Sequence, residues 1–422
     1  MTSTAKTIAI IVALDTKGVE AQFIEQIIRA RGHRPLVIDV GVMAESASAD
    51  IRAADVAQAG GGDLAALRQR GDKAGAMDVM TRGAASIAAR LYAEGRFDAI
   101  IGLGGTAGTA IGSSAMRALP LGVPKVLVST VASGDTRPYV GTKDLTMIYS
   151  VVDIAGVNRI SARVLANAAG AVIGMVETAA PVVEERPIIA ASMFGNTTPC
   201  VDRARAALEA AGFEVLVFHA TGAGGRTMES LIADGYVDAV LDLTTTEWAD
   251  ELCGGVFSAG PHRLEAAARV GIPQVIGPGC LDMVNFGATE TVPPQFATRK
   301  LFRWNPNVTL MRTDVRENQE LGRILATKIN LSTGPVTVLW PLKGLSQLDS
   351  DGKEFWWPEA DAALLESLRQ HLRPDIPVVA LDANINDPQF ADRAVEELLA
   401  MIKARAVVGT TRPGAPPRAK PT

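Results

Sequence analysis

The sequence predicts an α/β protein of two Rossmann-like domains, each with a mainly parallel sheet, and a cleft between them. Three observations predict it. Short apolar runs such as residues 8–14 (IAIIVAL) are too continuous for a strand with one wet face, so they read as strands covered on both sides. These runs alternate with amphipathic stretches of helix length, the pattern that β-α-β units impose on a parallel sheet. The series then restarts after residues 177–187 (ETAAPVVEERP), whose two prolines and three glutamates mark a boundary. The expected domains are residues 1–180 and 186–405, with a disordered tail over 406–422.

In the first domain, the strand 8–14 leads through a loop, Asp15 to Gly18 (DTKG), to a helix over 19–31 and a strand over 35–40. Ligands of parallel sheets collect at the carboxyl ends of the strands. Asp15, Thr16 and Lys17 lie at such an end: Lys17 suits a phosphate, and Asp15 suits a magnesium ion or a ribose hydroxyl. The competing reading is a helix-capping Asp beside a solvated Lys. Residues 44–70 read as a mobile excursion with one short helix at most, and 74–94 as a helix.

Residues 97–114 (FDAIIGLGGTAGTAIGSS) are the centre of the domain. An apolar strand over 97–102 meets Gly102, Gly104, Gly105 and Gly108, interleaved with Thr106 and Thr109, before a helix from about Thr109 to Leu119. Glycine admits a phosphate close to the backbone, and the first N–H groups of a helix lack partners, so this order forms a candidate phosphate cradle. Gly102, Gly104 and Ala107 fit the relaxed dinucleotide pattern, but the next strand, 125–130, ends in Ser129 and Thr130 rather than in the acid that pattern needs. A P-loop is excluded, because no Lys-Ser or Lys-Thr follows the last glycine. The alternative is a tight turn without a ligand. Residues 131–144 (VASGDTRPYVGTKD) form a long polar loop with Thr142, Lys143 and Asp144 as further candidates. A helix over 153–169 and a strand over 171–176 complete the domain.

The second series repeats the architecture without a position-by-position repeat. It has strands over 188–194, 214–219 and 237–243, a helix over 200–211, and a second glycine loop at His219 to Thr227 (HATGAGGRT). Two loop-rich stretches, 253–263 (CGGVFSAGPHR) and 274–287 (QVIGPGCLDMVNFG), carry His262, Arg263, Cys280, Asp282 and Asn285. His is the usual acid or base near neutral pH and Cys the usual nucleophile, so His262 with Cys280 or Asp282 is a candidate catalytic pair. The competing readings are a hydrogen-bonded His at the start of a helix over 263–270 and a buried Cys. Residues 340–358 hold three of the five Trp and read as a pocket lid, a subunit interface or an irregular core segment. Asp382 to Asn386 resembles the opening of a calcium loop, but Asp387 and Arg393 stand where Gly and Glu are required, so it reads as a turn before a helix over 391–404.

Composition narrows the function classes. A net charge of −5 argues against a general nucleic-acid binder. Three Cys, Cys200, Cys253 and Cys280, do not make a disulfide scaffold and point to a reducing compartment. No run reaches the roughly 18 apolar residues of a membrane span, and the first apolar run lacks a signal-peptide flank. The expected location is the cytoplasm.

Gly102 to Thr109, residues 218–229 (FHATGAGGRTME), 260–266 (GPHRLEA), 277–287 and 305–313 (NPNVTLMRT) resemble the Tm-one-like ATP-binding family, over nearly the whole chain up to about residue 405. The resemblance implies two Rossmann-like domains, ATP and Mg2+ bound mainly by the first, and a homodimer. It supplies no reaction. Three functions follow as expectations. The first is an ATP-binding protein with phosphates on Gly104, Gly105, Thr106, Gly108 and Thr109 and on Asp15 to Lys17, helped by Ser129, Thr130 and Thr142. The second is an enzyme of small-molecule catabolism whose substrate lies between the domains on Arg226, His262 and Asp282. The third is a regulatory or scaffold protein switched by ATP.

Overall fold

The apolar runs fold as parallel strands covered on both faces. In the computed structural model, which describes residues 4–44, 46, 48–179 and 184–407, the chain divides into two units between residues 183 and 184. Unit 1 opens with β1 (Thr7–Val12), α1 (Leu14–Ala30), β2 (Arg34–Asp39), α2 (Ala53–Ala59), α3 (Leu64–Gln69) and α4 (Lys73–Ala93). It continues with β3 (Ala99–Gly104), α5 (Thr106–Arg117), β4 (Lys125–Ser129), α6 (Arg137–Val140), β5 (Thr146–Tyr149) and α7 (Ser161–Glu177).

Side chains alternate across a strand, and β1 shows it. Ile8, Ile10 and Val12 pack into one apolar layer with residues of α1 and α7, and Ala9 and Ile11 into the other with residues of α2, α4 and α5. All strand pairs are parallel, in the order β2-β1-β3-β4-β5. That is the doubly wound 2-1-3-4-5 order, whose switch point lies between β1 and β3.

Four expectations change in unit 1. The loop Asp15 to Gly18 is instead the first turn of α1, which kinks at Lys17 (φ −129°, ψ 23°). Residues 44–70 hold two helices, not one at most. Gly60 and Gly83 let α2 lie directly on α4: a Cβ on Gly83 would come within 1.9 Å of the Val56 carbonyl oxygen. The helix expected from 153 starts at Ser161, where Asn158 Oδ1 accepts the N–H groups of Ile160 and Ser161 (2.9 and 3.0 Å). Residues 171–176 belong to that helix rather than to a strand, because Leu165, Ala168, Ala169, Val172 and Ile173 bury one helical face.

Unit 2 runs through β6 (Ile188–Met193), α8 (Thr198–Ala210), β7 (Glu214–His219), α9 (Ala223–Ala233), β8 (Ala239–Thr244), α10 (Glu247–Cys253) and α11 (Ala266–Val270). Then come β9 (Gln274–Gly279), β10 (Met283–Phe286), β11 (Leu301–Asn305), β12 (Val308–Arg312) and α12 (Val315–Ile329). The last elements are β13 (Val336–Pro341), α13 (Pro358–His371), β14 (Val378–Leu381) and α14 (Pro388–Val407). Its main sheet has the order β14-β13-β9-β8-β6-β7, parallel throughout, so its switch point lies between β6 and β8. β10, β12 and β11 form a small antiparallel sheet, and of these β10 lies in the stretch 274–287 expected to be loop-rich. The helix expected over 263–270 shortens to α11. Of the expected tail, residues 406–407 belong to α14 and the rest lies outside the described residues. Among the described residues no helix is long and apolar enough to cross a membrane.

Candidate functional site

The glycine stretch of unit 1 is tighter than a loop. Gly104 ends β3, Gly105 is the N-cap and Thr106 already begins α5. Packing explains most of the glycines. A Cβ on Gly104 would lie 2.7 Å from the Gly108 Cα, and one on Gly102 would lie 3.0 Å from Ile11 and Leu127. Gly105 differs. Its φ is an ordinary −74°, and a Cβ there would meet only Thr130 Oγ1, at 3.8 Å. The fold does not need glycine at 105, and the space beside its backbone is open.

Around this point, Thr109 and Ser129 are fully buried and their hydroxyls bond each other at 2.6 Å. They fasten α5 to the tip of β4 and have turned away from solvent. Thr106 is exposed, and Thr130 and Gly108 are half-buried. No side chain caps α5, so the first N–H groups of a 12-residue helix are free to meet an anion at the carboxyl edge of the sheet.

Asp15, Thr16 and Lys17 stand at the end of β1, the strand beside β3, and so at the other wall of the switch point. Thr16 is exposed, and Asp15 and Lys17 are half-buried. Asp15 Oδ2 accepts the N–H of Met43 at 2.7 Å. Thr142 is not brought to this place. It precedes β5, which runs parallel to β4, so it lies at the amino edge of the sheet. There its neighbour Asp144 accepts from Lys125 Nζ (2.7 Å) and from the Gly122 N–H (2.8 Å).

Sequence reading missed Asp39. It ends β2 at the carboxyl edge, is wholly buried, and its Oδ1 accepts the N–H groups of Leu14 (3.0 Å) and Gly41 (2.8 Å). Burial pushes its affinity for a proton up, and the nearby Asp15 charge adds to this. An acid closing an otherwise apolar strand (PLVID) was the available signal.

The second glycine loop is already filled. Glu247 Oε1 accepts the N–H groups of Gly222 (2.7 Å) and Gly225 (3.1 Å) at the start of α9. The protein's own carboxylate therefore takes the place an anion would occupy. A Cβ on Gly225 would fall 2.1 Å from Glu247 Oε2. Gly225→Ala is expected to cost unit 2 about 1–3 kcal/mol through overpacking. Urea unfolding followed by Trp fluorescence checks this, because all five Trp lie in unit 2.

Glu247 belongs to a buried charge network. Arg263, 1% exposed, donates to Asp242 with Nη1 (2.5 Å) and Nη2 (2.7 Å), to Glu247 with Nε (2.6 Å) and to Glu229 with Nη1 (3.2 Å). Burial works against its charge, but Asp242, Glu247 and Glu229 together hold it protonated. Glu229 also accepts the N–H groups of Leu264 and Ala266, both at 2.7 Å. The network ties the chain after α10 to the tip of β8 and to the start of α9.

The expected catalytic set does not converge. His262 has an 84% exposed side chain, and its Nδ1 lies 3.2 Å from Glu265 Oε2. Arg226 donates to the Ser258 carbonyl at 2.9 Å on the surface. Asp282 is wholly buried and accepts from Ser346 Oγ at 2.8 Å. Cys280 is buried as well, with a thiol that burial pushes well up, so it is no nucleophile as it stands.

Asp282 instead belongs with Asp349, Asp361 and Arg312, three carboxyls around one buried guanidinium. Burial and then Asp349 push Asp282 up to about 7, and burial pushes Asp361 up to about 8. Carboxyls of unfolded chains titrate near about 4, so folding takes up protons between roughly pH 4 and 8 and unit 2 loses stability as pH rises through that window. Urea midpoints at pH 5 and pH 8 are expected to differ less in Asp282→Asn than in the parent chain. An equal difference would remove Asp282 as the source.

Two doubly wound parallel sheets, with an uncapped helix end at the first unit's switch point, define a two-unit α/β protein of doubly wound type. The chain belongs to the UPF0261 family: residues 6–181 match the N-terminal domain and residues 186–402 the C-terminal domain of what is described as an uncharacterised protein family. It is 51% identical over 401 residues to a UPF0261 protein of Clostridium tetani, covering 94% of this chain and 99% of that one. It is 44% identical over 390 residues to a UPF0261 protein of Mesorhizobium japonicum, covering 92% and 97%. The ToMV resistance protein Tm-1(GCR237) of Solanum lycopersicum is 46% identical over 308 residues, which are 71% of this chain and 41% of the tomato protein.

Proposed function

We propose that this protein binds an adenine nucleotide, with the phosphates on the first turn of α5. The observation that carries the reading is the contrast between two helix ends at the two glycine stretches. The start of α9 is closed by Glu247. The start of α5 has no internal carboxylate and opens at the β1/β3 switch point, beside a glycine that packing does not require. The N–H groups of Thr106, Ala107 and Gly108 would meet phosphate oxygens. Thr106 Oγ1 and Thr130 Oγ1 are the nearby donors, Lys17 at the end of β1 would add a positive charge, and Thr109 and Ser129 keep the turn in shape.

Adenine as the base, magnesium as the accompanying ion and a homodimer rest on the family resemblance. When bound, a magnesium ion would neutralise phosphate charge, and Asp15 at the end of β1 would meet it. The tomato relative's role in virus resistance is not carried over, since this chain spans 41% of that protein. The test is mass spectrometry of small molecules that co-purify with the native protein, beside a Gly105→Val control. An adenine nucleotide present in the first and absent from the second is expected. A different phosphorylated metabolite would make the nucleotide reading wrong.

A further inference from the structure

We propose that Asp39 joins Asp15 as a second carboxylate ligand of the divalent cation that accompanies the phosphates; this rests on the nucleotide reading of the β1/β3 switch point. The two acids close neighbouring strands. β1 pairs with β2 so that Val12 stands opposite Asp39, and Asp15 follows β1 by three residues. Between them folds the backbone of residues 40–43. Asp39 Oδ1 takes the N–H groups of Leu14 and Gly41, Asp15 Oδ2 takes that of Met43, and the Gly41 α-carbon lies against the Asp15 carboxyl. A Cβ on Gly41 would come 2.8 Å from Asp15 Cγ.

A plain backbone staple would need one oxygen from each acid. The other oxygens are left over. Asp39 Oδ2 is buried and has no hydrogen-bond partner, an arrangement that costs a folded protein stability. The Asp15 carboxyl lies on the same turn, against Gly41, whose N–H the Asp39 Oδ1 holds. Arg68 donates from Nε to the Val42 carbonyl at 2.6 Å and from Nη2 to the Gly41 carbonyl at 3.3 Å on that turn. An unpaired buried carboxylate oxygen gains from a cation bound beside it.

Among the described residues no three His, Cys, Asp or Glu side chains form a metal cage. Magnesium held together with a nucleotide does not need one, since one or two carboxylates plus phosphate oxygens are its common protein ligands. Asp39 lies one strand beyond Asp15, and Asp15 one strand beyond the start of α5. The order along the edge is thus carboxylate, carboxylate, phosphate.

Calorimetric titration of the full chain with ATP, once with EDTA and once with millimolar Mg2+, tests the proposal on Asp39→Asn. Asparagine keeps the Oδ1 acceptor, and a melting curve by circular dichroism confirms that the variant folds. The parent chain is expected to gain about tenfold or more in ATP affinity from Mg2+, about 1.4 kcal/mol. Asp39→Asn is expected to keep its affinity in EDTA and to lose that gain, as is Asp15→Asn, with the double variant losing no more than either. A merely structural Asp39 would weaken both titrations alike, and that result, or an undiminished Mg2+ gain in Asp39→Asn, overturns the proposal. ATP binding in EDTA by the parent chain reports on the nucleotide reading separately.

Discussion

Arg263→Ala is expected to destabilise unit 2 by about 3–5 kcal/mol, the usual cost of removing one partner from a buried ion network. Among the described residues the guanidinium is the only cation that the buried acids Asp242 and Glu247 contact, and it also reaches Glu229. Without it, carboxylates at the tip of β8 face one another in a dry interior. For a unit of this size that loss lowers the melting temperature by roughly 10 °C. Arg263→Lys restores a charge but not the two-pronged contact with Asp242, so it is expected to recover only part. Urea unfolding followed by Trp fluorescence reads the effect in unit 2. A midpoint within error of the parent chain would show that the network contributes nothing.

Gly105→Val is expected to weaken ATP binding by about 100-fold or more while leaving the fold intact. A hundredfold change corresponds to about 2.7 kcal/mol, a plausible cost for pushing phosphate away from the first N–H groups of α5. The fold has room for a β-carbon there, which would meet only Thr130 Oγ1 at 3.8 Å. Gly104→Ala is the opposite case. Its methyl would press on the Gly108 backbone at 2.7 Å, and the expected result is a loss of about 1–3 kcal/mol in stability. Circular dichroism melting and nucleotide titration on both variants separate the two roles. A Gly105→Val chain that binds ATP normally would take the phosphates off this helix.

β1 to β4 and β6 to β8 were legible because doubly covered strands need continuous apolar runs, and IAIIV or AVLDL leaves little choice, whereas β9 read as part of a loop-rich stretch and β5, β13 and β14 drew no strand. The glycine stretch was legible for the same reason: four glycines after a strand constrain the backbone strongly. Which glycine serves packing and which leaves space was not legible, because that depends on the distance from Gly104 to Gly108 and from Gly105 to Thr130. The small antiparallel sheet was missed, since its strands of four or five residues sit among turns without a periodic run. The stretch 171–176 misled because an apolar run of that length suits a buried strand as well as the end of a helix.

Among site residues, His262 drew notice as the residue type of acid–base chemistry, yet its neighbour Arg263 is the one inside. The available signal was Asp242 within an apolar strand, since an acid there demands a buried cation. Asp39 carried the same signal in β2. Thr142 was placed by its polar company, and only the direction of β5 shows that it lies at the far edge.

The measurement that tests the nucleotide site most directly is a calorimetric titration of the full chain with ATP and Mg2+, run beside the Gly105→Val variant. One ATP per chain, bound at micromolar to submillimolar concentration by the parent and about 100-fold more weakly by the variant, is the expected result. No heat from the parent chain at millimolar ATP, or equal affinity in both chains, would contradict a nucleotide held at the start of α5.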